Sequence, residues 1–168
     1  MSRGIRFLII LAAVWVAAGP SDVVAHDVPT DVLVQAFVKP EGQRLNVLVR
    51  VPLRAILDVD IPKRGPGYLD LARAEPSLRE GATGWIAGSI ELYEEATRLT
   101  DERIVAVRVS LPSDPSFRSY EEALAHIQSA PLPPNTELYW DQGMLDVWLD
   151  YPIQSPQSHF SIPCSAGL

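Results

Sequence analysis

The sequence predicts a mainly β domain of antiparallel hairpins, β-sandwich-like in character, with two or three short inserted helices. Two observations support this class. Several short runs alternate apolar with polar residues on either side of turns rich in Pro and Gly, which is typical of hairpins. The strand runs also do not alternate with long helices, as a parallel sheet would require. An α+β arrangement is the fallback.

The first predicted hairpin joins residues 31–38 to residues 44–51. The first run reads DVLVQAFV and is rich in β-branched and apolar residues. The second run alternates, and its apolar face carries Leu45, Val47, Val49 and Val51. Residues 39–43, KPEGQ, have the composition of a turn, and Pro52 ends the second strand.

The middle of the chain predicts loops and short helices. Residues 55–61 fit either a strand or a short helix, and residues 62–67, PKRGPG, predict a loop. A short helix is expected at residues 68–74. A second helix is expected to begin at Pro76, since proline suits the first turn of a helix, and to end before Gly88.

Two further hairpins are predicted in the second half. One joins residues 89–93 to residues 103–111, and the other joins residues 137–140 to residues 144–151. A last short strand is expected at residues 159–162.

A short capped helix is predicted between these two hairpins. Ser119 and the glutamate three residues later, Glu122, form a capping box. The helix is expected to end before Pro131.

The N-terminus has the features of a secretory signal peptide. Arg3 and Arg6 precede an apolar run of 12 residues, and small side chains follow a Gly-Pro break. A run of this length is too short to cross a bilayer, which needs roughly 20 residues. We therefore predict that residues 1–25 are removed by cleavage after Ala25. A cut after Ala18 and an uncleaved anchor are the alternatives.

Cleavage leaves 143 residues, enough for one domain with its own core. We assign this β-rich domain to residues 26–162 and an irregular tail to residues 163–168. The removed segment carries a net charge of +1, so the chain's net charge of −7 becomes −8. An acidic chain disfavours nucleic acid and anionic lipid as partners. The single cysteine, Cys164, excludes an internal disulfide and is interpreted as part of the tail.

Sequence signatures of catalysis are absent. The chain contains no G-x-S-x-G, Walker loop, H-E-x-x-H or C-x-x-C pattern. A Ser-His-Asp set can be assembled on paper from its many serines, but the spacing does not favour one. We therefore predict no enzyme activity and assign no catalytic residue.

His26 is the candidate metal ligand. After cleavage it would carry a free α-amino group beside its imidazole, and the two together suit Cu(II) or Ni(II). The reference pKa of an α-amine, about 8, makes loss of its proton inexpensive. Asp27 and Asp31 could add oxygen ligands. The alternative is an N-terminal segment that happens to begin with histidine.

The other polar and aromatic candidates receive structural interpretations. His126 and His159 are interpreted as partly buried or surface residues. Two pairs of carboxylates alternate along predicted strands and are interpreted as a solvent-exposed face, with cation binding as the alternative: Asp58 with Asp60, and Asp146 with Asp150. The aromatic residues around the third hairpin predict core packing or an interface, and a platform for sugar or peptide is the alternative. They are Tyr139, Trp140, Trp148 and Tyr151.

Four stretches in order, AHDVPTDVLVQAFVKPEGQRLNVLVRVPL, RGPGYLDLARAEPSL, VRVSLPSD and ELYWDQGMLDV, carry a family resemblance. Together they resemble the extracytoplasmic N-terminal region of the HupE/UreJ family, bacterial membrane proteins associated with hydrogenase and urease accessory functions. The resemblance covers nearly all of residues 26–162. It rests on the order and extent of these stretches, because none of them is a catalytic signature.

The resemblance implies an exported, mostly β domain followed by a polytopic membrane domain, whose histidine and aspartate residues would handle nickel or cobalt. The present sequence stops at Leu168, before such a domain. We interpret the chain as a truncated or frame-shifted product, or as a fragment, and predict no transport by this chain alone.

We expect a non-enzymatic domain at the periplasmic or extracytoplasmic face of the membrane, assisting the handling of a transition metal ion such as Ni, Co or Cu. A membrane domain or another envelope protein is the expected partner. The alternative is a β-sandwich module that binds a protein or glycan through its aromatic hairpin, without metal. A copper-dependent oxidative enzyme is disfavoured, because such a site needs a second well-placed histidine besides His26.

Overall fold

A computed structural model describes residues 32–163 of the chain, which contain nine strands and two α-helices. The predicted mainly β, antiparallel class is confirmed. The strands are β1 (Gln35–Glu41), β2 (Arg44–Pro52), β3 (Lys63–Arg64), β4 (Tyr68–Leu69), β5 (Tyr93–Glu94), β6 (Thr97–Arg98), β7 (Arg103–Ser110), β8 (Met144–Pro152) and β9 (Phe160–Ser161). The helices are α1 (Glu75–Gly81) and α2 (Tyr120–Gln128).

The predicted signal peptide, its cleavage site and Cys164 lie outside the described residues. Within the described range, no helix has both the length and the apolar character that a membrane crossing requires.

The central feature is a four-stranded antiparallel sheet in the order β1-β2-β8-β7. The first hairpin is confirmed: β1 and β2 pair from Gln35↔Arg50 to Glu41↔Arg44. Gly42, at φ +59°, occupies the left-handed region that this tight turn requires. The predicted last strand forms as β9 and joins β5 and β6 in a three-stranded sheet, and β3 pairs with β4.

The other two predicted hairpins are wrong in their pairing. β7 pairs with β8, whereas β5 pairs with β6 and β9. Residues 137–140 form no strand of the main sheet: Tyr139 makes one isolated bridge to Tyr68, and Trp140–Gln142 is a 3-10 turn. The physical reason is that β8 is buried between β2 and β7, so both of its edges are already occupied by strands distant in sequence.

The helix predicted at residues 68–74 does not form, because Tyr68–Leu69 is strand β4 and pairs with β3 instead. The other two predicted helices are confirmed. Pro76 lies in the first turn of α1, and the chain continues as a π-helical turn at Ala82–Ile86 and a 3-10 turn at Ala87–Ser89. Ser119 caps α2, because its hydroxyl accepts a hydrogen bond from the Glu122 amide at 3.2 Å.

The main sheet has two unlike faces. One face is apolar and packs against α1 and the loops that follow β2 and β4; its fully buried strand residues are Leu45, Leu145, Val147 and Leu149. The other face carries a smaller apolar cluster beneath α2, formed by Leu48 with Phe117, Tyr120, Ala123 and Ile127. Polar and charged side chains occupy the rest of this second face, and they are also buried.

Candidate functional site

A cluster of ionisable side chains lies between the main sheet and α2. We call it the charged cluster; its members are Arg50, Arg108, Ser110, Asp114, His126 and Asp146. Strand register assembles it, because Asp146 on β8 stands directly opposite Arg50 on β2 and Arg108 on β7. Asp114 reaches it from the loop after β7, and His126 from α2.

Arg50 and Asp146 form a bidentate ion pair at the centre of the cluster. The Arg50 Nε donates to Asp146 Oδ1 at 2.6 Å and its Nη2 to Oδ2 at 2.7 Å. Their side chains are 4% and 0% exposed. Arg50 also donates to the Asp114 carbonyl oxygen at 2.9 Å and to Ser116 Oγ at 3.1 Å. Two parallel charge-assisted hydrogen bonds make this the strongest link across β2 and β8.

This pair corrects one interpretation of the sequence. Asp146 and Asp150 are not on a solvent-exposed face: they are 0% and 3% exposed. Asp150 accepts hydrogen bonds from Arg44 and from Arg103, the latter at 2.7 Å. Burial raises the pKa of Asp150, but the hydrogen bonds from the two arginines lower it overall. Asp58 and Asp60 are exposed, as expected.

Ser110, His126 and Asp114 are arranged in space like the serine, histidine and aspartate of a hydrolytic triad. Ser110 Oγ is 2.7 Å from His126 Nε2, and His126 Nδ1 is 3.4 Å from Asp114 Oδ2. In a working triad the serine hydroxyl donates to the imidazole. Here Ser110 Oγ donates to Asp146 Oδ2 at 2.6 Å. An ionised carboxylate can only accept hydrogen bonds, so the proton of the Ser110 hydroxyl points to Asp146 and not to His126.

Access also argues against nucleophilic chemistry at Ser110. The residue is 1% exposed and lies in the last position of β7, beneath α2. A substrate carbonyl cannot reach its hydroxyl while α2 is in place. The arrangement is therefore suited to holding α2 on the sheet rather than to attacking a substrate.

The ionisation of the cluster follows from burial and from its two arginines. Burial and the nearby Arg108 lower the pKa of His126, although Asp114 and Asp146 oppose this. Burial raises the pKa of Asp114, but hydrogen bonds from Ser116 and Arg50 lower it overall. The cluster thus holds two cations and two carboxylates around a neutral imidazole at pH 7.

A second feature is an apolar groove on the opposite face of the sheet, beside edge strand β1. Its volume is about 460 Å³. It is lined mainly by aliphatic side chains, with Val34 and Ile162 half-exposed at its mouth. The lining residues include Val34, Ala36, Val38, Val49, Ile90 and Ile162. No strand within residues 32–163 pairs with the outer edge of β1.

The structure does not describe the residues that were predicted to bind metal. His26, Asp27 and Asp31 lie outside residues 32–163. His126 is partly buried in the charged cluster, and His159 is exposed, as expected. Between residues 32 and 163, no group of three or more His, Cys, Asp or Glu side chains is placed to hold a metal ion.

The four aromatic residues predicted to serve core packing or an interface, with a platform as the alternative, lie in different environments. Tyr151 is buried in the apolar core, and Trp148 packs beneath α2 while its indole N–H donates to Asn46 Oδ1 at 3.0 Å. Tyr139 stacks on Tyr68 with ring centroids 4.5 Å apart. Trp140 is covered on one side by Lys63, whose Nζ is 4.9 Å from the ring centroid.

Sequence reasoning missed Arg50, Arg108, Ser110 and Asp114. One signal was available: Arg50 lies between Val49 and Val51 near the end of β2, and a charge between apolar residues predicts either an exposed face or a buried partner. Its partner, Asp146, lies 96 residues away in the chain, so spacing cannot identify it.

Comparisons of the chain with protein-family models, with curated proteins and with solved structures found no match.

Proposed function

We propose that the mature chain is a non-enzymatic extracytoplasmic domain of a protein similar to the HupE/UreJ family. In this proposal it acts by docking to a membrane domain or another envelope protein through the apolar groove beside β1. The observation that carries the proposal is the combination of that groove with a strand edge to which no strand within residues 32–163 pairs. The proposed family and location rest on the sequence stretches and on the predicted signal peptide described above.

The backbone of β1 supports docking by strand addition. Glu41 and Arg44 close a tight hairpin, so alternate residues of β1 form hydrogen-bonded pairs with β2. The residues between them, Ala36, Val38 and Pro40, direct their backbone groups outward. Pro40 has no N–H to offer and limits the edge at one end, as proline does on edge strands. On this side, the backbone groups of Ala36 and Val38 have no strand partner in the part of the chain that the structure describes.

The side chains of the same residues line the groove. Ala36 and Val38 lie on the apolar face of the sheet, and Val38 is 37% exposed. An extended partner segment paired to β1 would place every second side chain over this groove. The occupant that fits is therefore a strand of a partner protein with apolar residues at alternate positions.

A photo-crosslinking amino acid at Val38 tests the docking proposal in the native host. We expect crosslinks to an integral membrane protein, identified by mass spectrometry, and none from a matched label at Glu122, which is exposed on α2. Equal crosslinking from both positions, or crosslinks to soluble cytoplasmic proteins alone, would contradict the proposal. An alkaline phosphatase fusion, active only after export, tests the location independently.

The proposed metal role depends on His26 and on cleavage after Ala25. A mature domain that begins at His26 should bind Cu(II) or Ni(II) at micromolar or lower concentration by calorimetry. Blocking its α-amine should abolish binding, because the amine is half of the chelate. Unchanged binding after His26→Ala would exclude this residue as a ligand.

The alternative function, a glycan or peptide platform on the aromatic hairpin, has less support. Tyr151 is buried in the core and Trp148 lies beneath α2, so neither presents a ring face to solvent as part of a shared platform.

A further inference from the structure

The attachment of α2 to the sheet combines an apolar contact with polar contacts near both helix ends and at His126. Lys39 of β1 donates to Glu121 at 3.3 Å, and Arg108 of β7 donates to the carbonyl and hydroxyl oxygens of Ser129, the residue after α2. Ala123 and Ile127 of α2 pack on Leu48 of β2, with Phe37 and Trp148 beside them. His126, one residue before Ile127, enters the charged cluster with its side chain 15% exposed. Protonation of the His126 imidazole from solvent can thus change the contact between α2 and the sheet.

The proton positions around His126 are determined by its neighbours. Ser110 donates its hydroxyl proton to Asp146, so it accepts from His126 Nε2–H. The two carboxylates nearest the ring, Asp114 and Asp146, are each 3.4 Å from a ring nitrogen. Neither of these two contacts has hydrogen-bond geometry. The hydrogen bond of the ring is the one between His126 Nε2 and Ser110 Oγ.

Both carboxylates already accept hydrogen bonds from other groups. Asp146 accepts two hydrogen bonds from Arg50 and one from Ser110. Asp114 Oδ1 accepts from Arg50 and from Ser116. The two carboxylates favour a protonated imidazole, whereas the positive charges of Arg50 and Arg108 oppose it.

Every element packed around His126 contributes to this balance. β2 presents Arg50, β7 presents Arg108, β8 presents Asp146, and the loop after β7 presents Asp114. On α2 itself, Glu122 lies one turn earlier and is exposed to solvent. Two positive and two negative side chains cancel, so a protonated His126 leaves one uncompensated positive charge under the helix, which is costly.

We propose that His126 is an acid-sensitive latch, and that uptake of a proton by its imidazole releases α2 from the sheet and uncovers the apolar surface of Phe37, Leu48 and Trp148. The released helix exposes its imidazole to water, where the charge is solvated. The lowered pKa of His126, which burial and then Arg108 cause, agrees in direction. Since the closed state holds the proton less well, the released state becomes more populated as pH falls below about 6.5.

Amide hydrogen exchange of the mature domain tests the latch. Protection of residues 120–128 should fall as pH is lowered from about 7.5 to about 5, after correction for intrinsic exchange rates. The loss should approach about tenfold for each pH unit between the closed-state pKa and about 6.5. Protection of β8 should stay constant over the same range, since the latch frees only the helix.

Two variants distinguish the latch from general acid weakening. In His126→Gln the amide can still donate to Ser110 but cannot take up a proton, so the pH dependence of α2 protection should disappear. His159→Gln changes an exposed histidine outside the cluster and should leave that dependence intact. Persistence in His126→Gln, or α2 protection in the wild type that does not change with pH, would overturn the proposal.

A third variant applies if His126→Gln does not fold. Arg108→Gln removes one cation from the cluster, so the protonated imidazole is better tolerated in the closed state. Because Arg108 also donates two hydrogen bonds to Ser129 at the end of α2, the readout for this variant is the pKa of His126 in an NMR titration rather than the pH of release. That pKa should rise, and an unchanged or lower pKa would refute the proposed charge balance.

Discussion

Replacing Arg50 by methionine removes the group that donates hydrogen bonds to the buried carboxylate of Asp146 and to the partly buried carboxylate of Asp114. In the wild type, the guanidinium makes two hydrogen bonds to Asp146 and further bonds to the Asp114 carboxylate and carbonyl and to Ser116. Methionine fills much of the same volume but donates no hydrogen bond. Asp146, fully buried, would retain only the hydroxyl of Ser110 as a partner.

The magnitude follows from the burial of both partners. Breaking a buried ion pair by removing one member costs about 3–5 kcal/mol, because a charge is left without compensation. A domain of this size has a free energy of unfolding of about 5–15 kcal/mol, so the loss is a large share. With a urea m-value of about 2 kcal/mol/M, the unfolding midpoint should fall by about 2 M.

Urea unfolding of Arg50→Met measures this loss, with Arg103→Met as the matched control. The Arg103 side chain is 67% exposed, and its partner Asp150 keeps Arg44, so the control should lose about 0–1 kcal/mol. The double variant Arg50→Met/Asp146→Leu should lose less free energy of unfolding than the sum of the two single variants, because it leaves neither charge buried without its partner. Equal losses in Arg50→Met and Arg103→Met would refute the reasoning.

Three other predictions concern packing, capping and acid. Gly143→Ala should lower the free energy of unfolding by about 1–3 kcal/mol in urea, because its Cβ would come within 2.6 Å of Leu53 Cδ1. Ser119→Ala should cost about 1 kcal/mol and reduce the helical circular dichroism signal of α2, because the cap to its first turn is lost. The pKa of Asp150 is lower in the folded protein, so its stabilising contribution is complete above about pH 4 and is lost as pH falls through the folded value. Asp150→Asn should therefore destabilise the protein at pH 7 and flatten the acid limb of a stability–pH curve.

Each of these three has its own control. A Cβ on Gly84 meets no atom within 4 Å, so Gly84→Ala should not destabilise; a loss as large as that of Gly143→Ala would argue against crowding. Ser119→Asp keeps a capping oxygen and should restore stability, whereas failure to do so would assign the loss to something other than the cap. Asp58 is exposed, so Asp58→Asn should keep the acid limb unchanged.

Local patterns in the sequence were sufficient for the elements that depend on neighbours in the chain. The β1–β2 hairpin, the capping of α2 by Ser119 and the helical segment after Pro76 all depend on contacts within a few residues, and all three are confirmed. The apolar side of β8 follows from the same local pattern, because side chains alternate in any strand.

The sequence alone thus determined the mainly β class, the first hairpin and the chemistry of each strand face. Only the tertiary structure decided which strands are neighbours. It placed β8 between β2 and β7, and so brought Asp146 opposite Arg50 and Arg108. The reason is physical: a strand's alternation shows which side chains share a face, but its partner strand is selected by burial over the whole domain. The charged cluster exists only because distant strands meet in that register, with His126 of α2 above them.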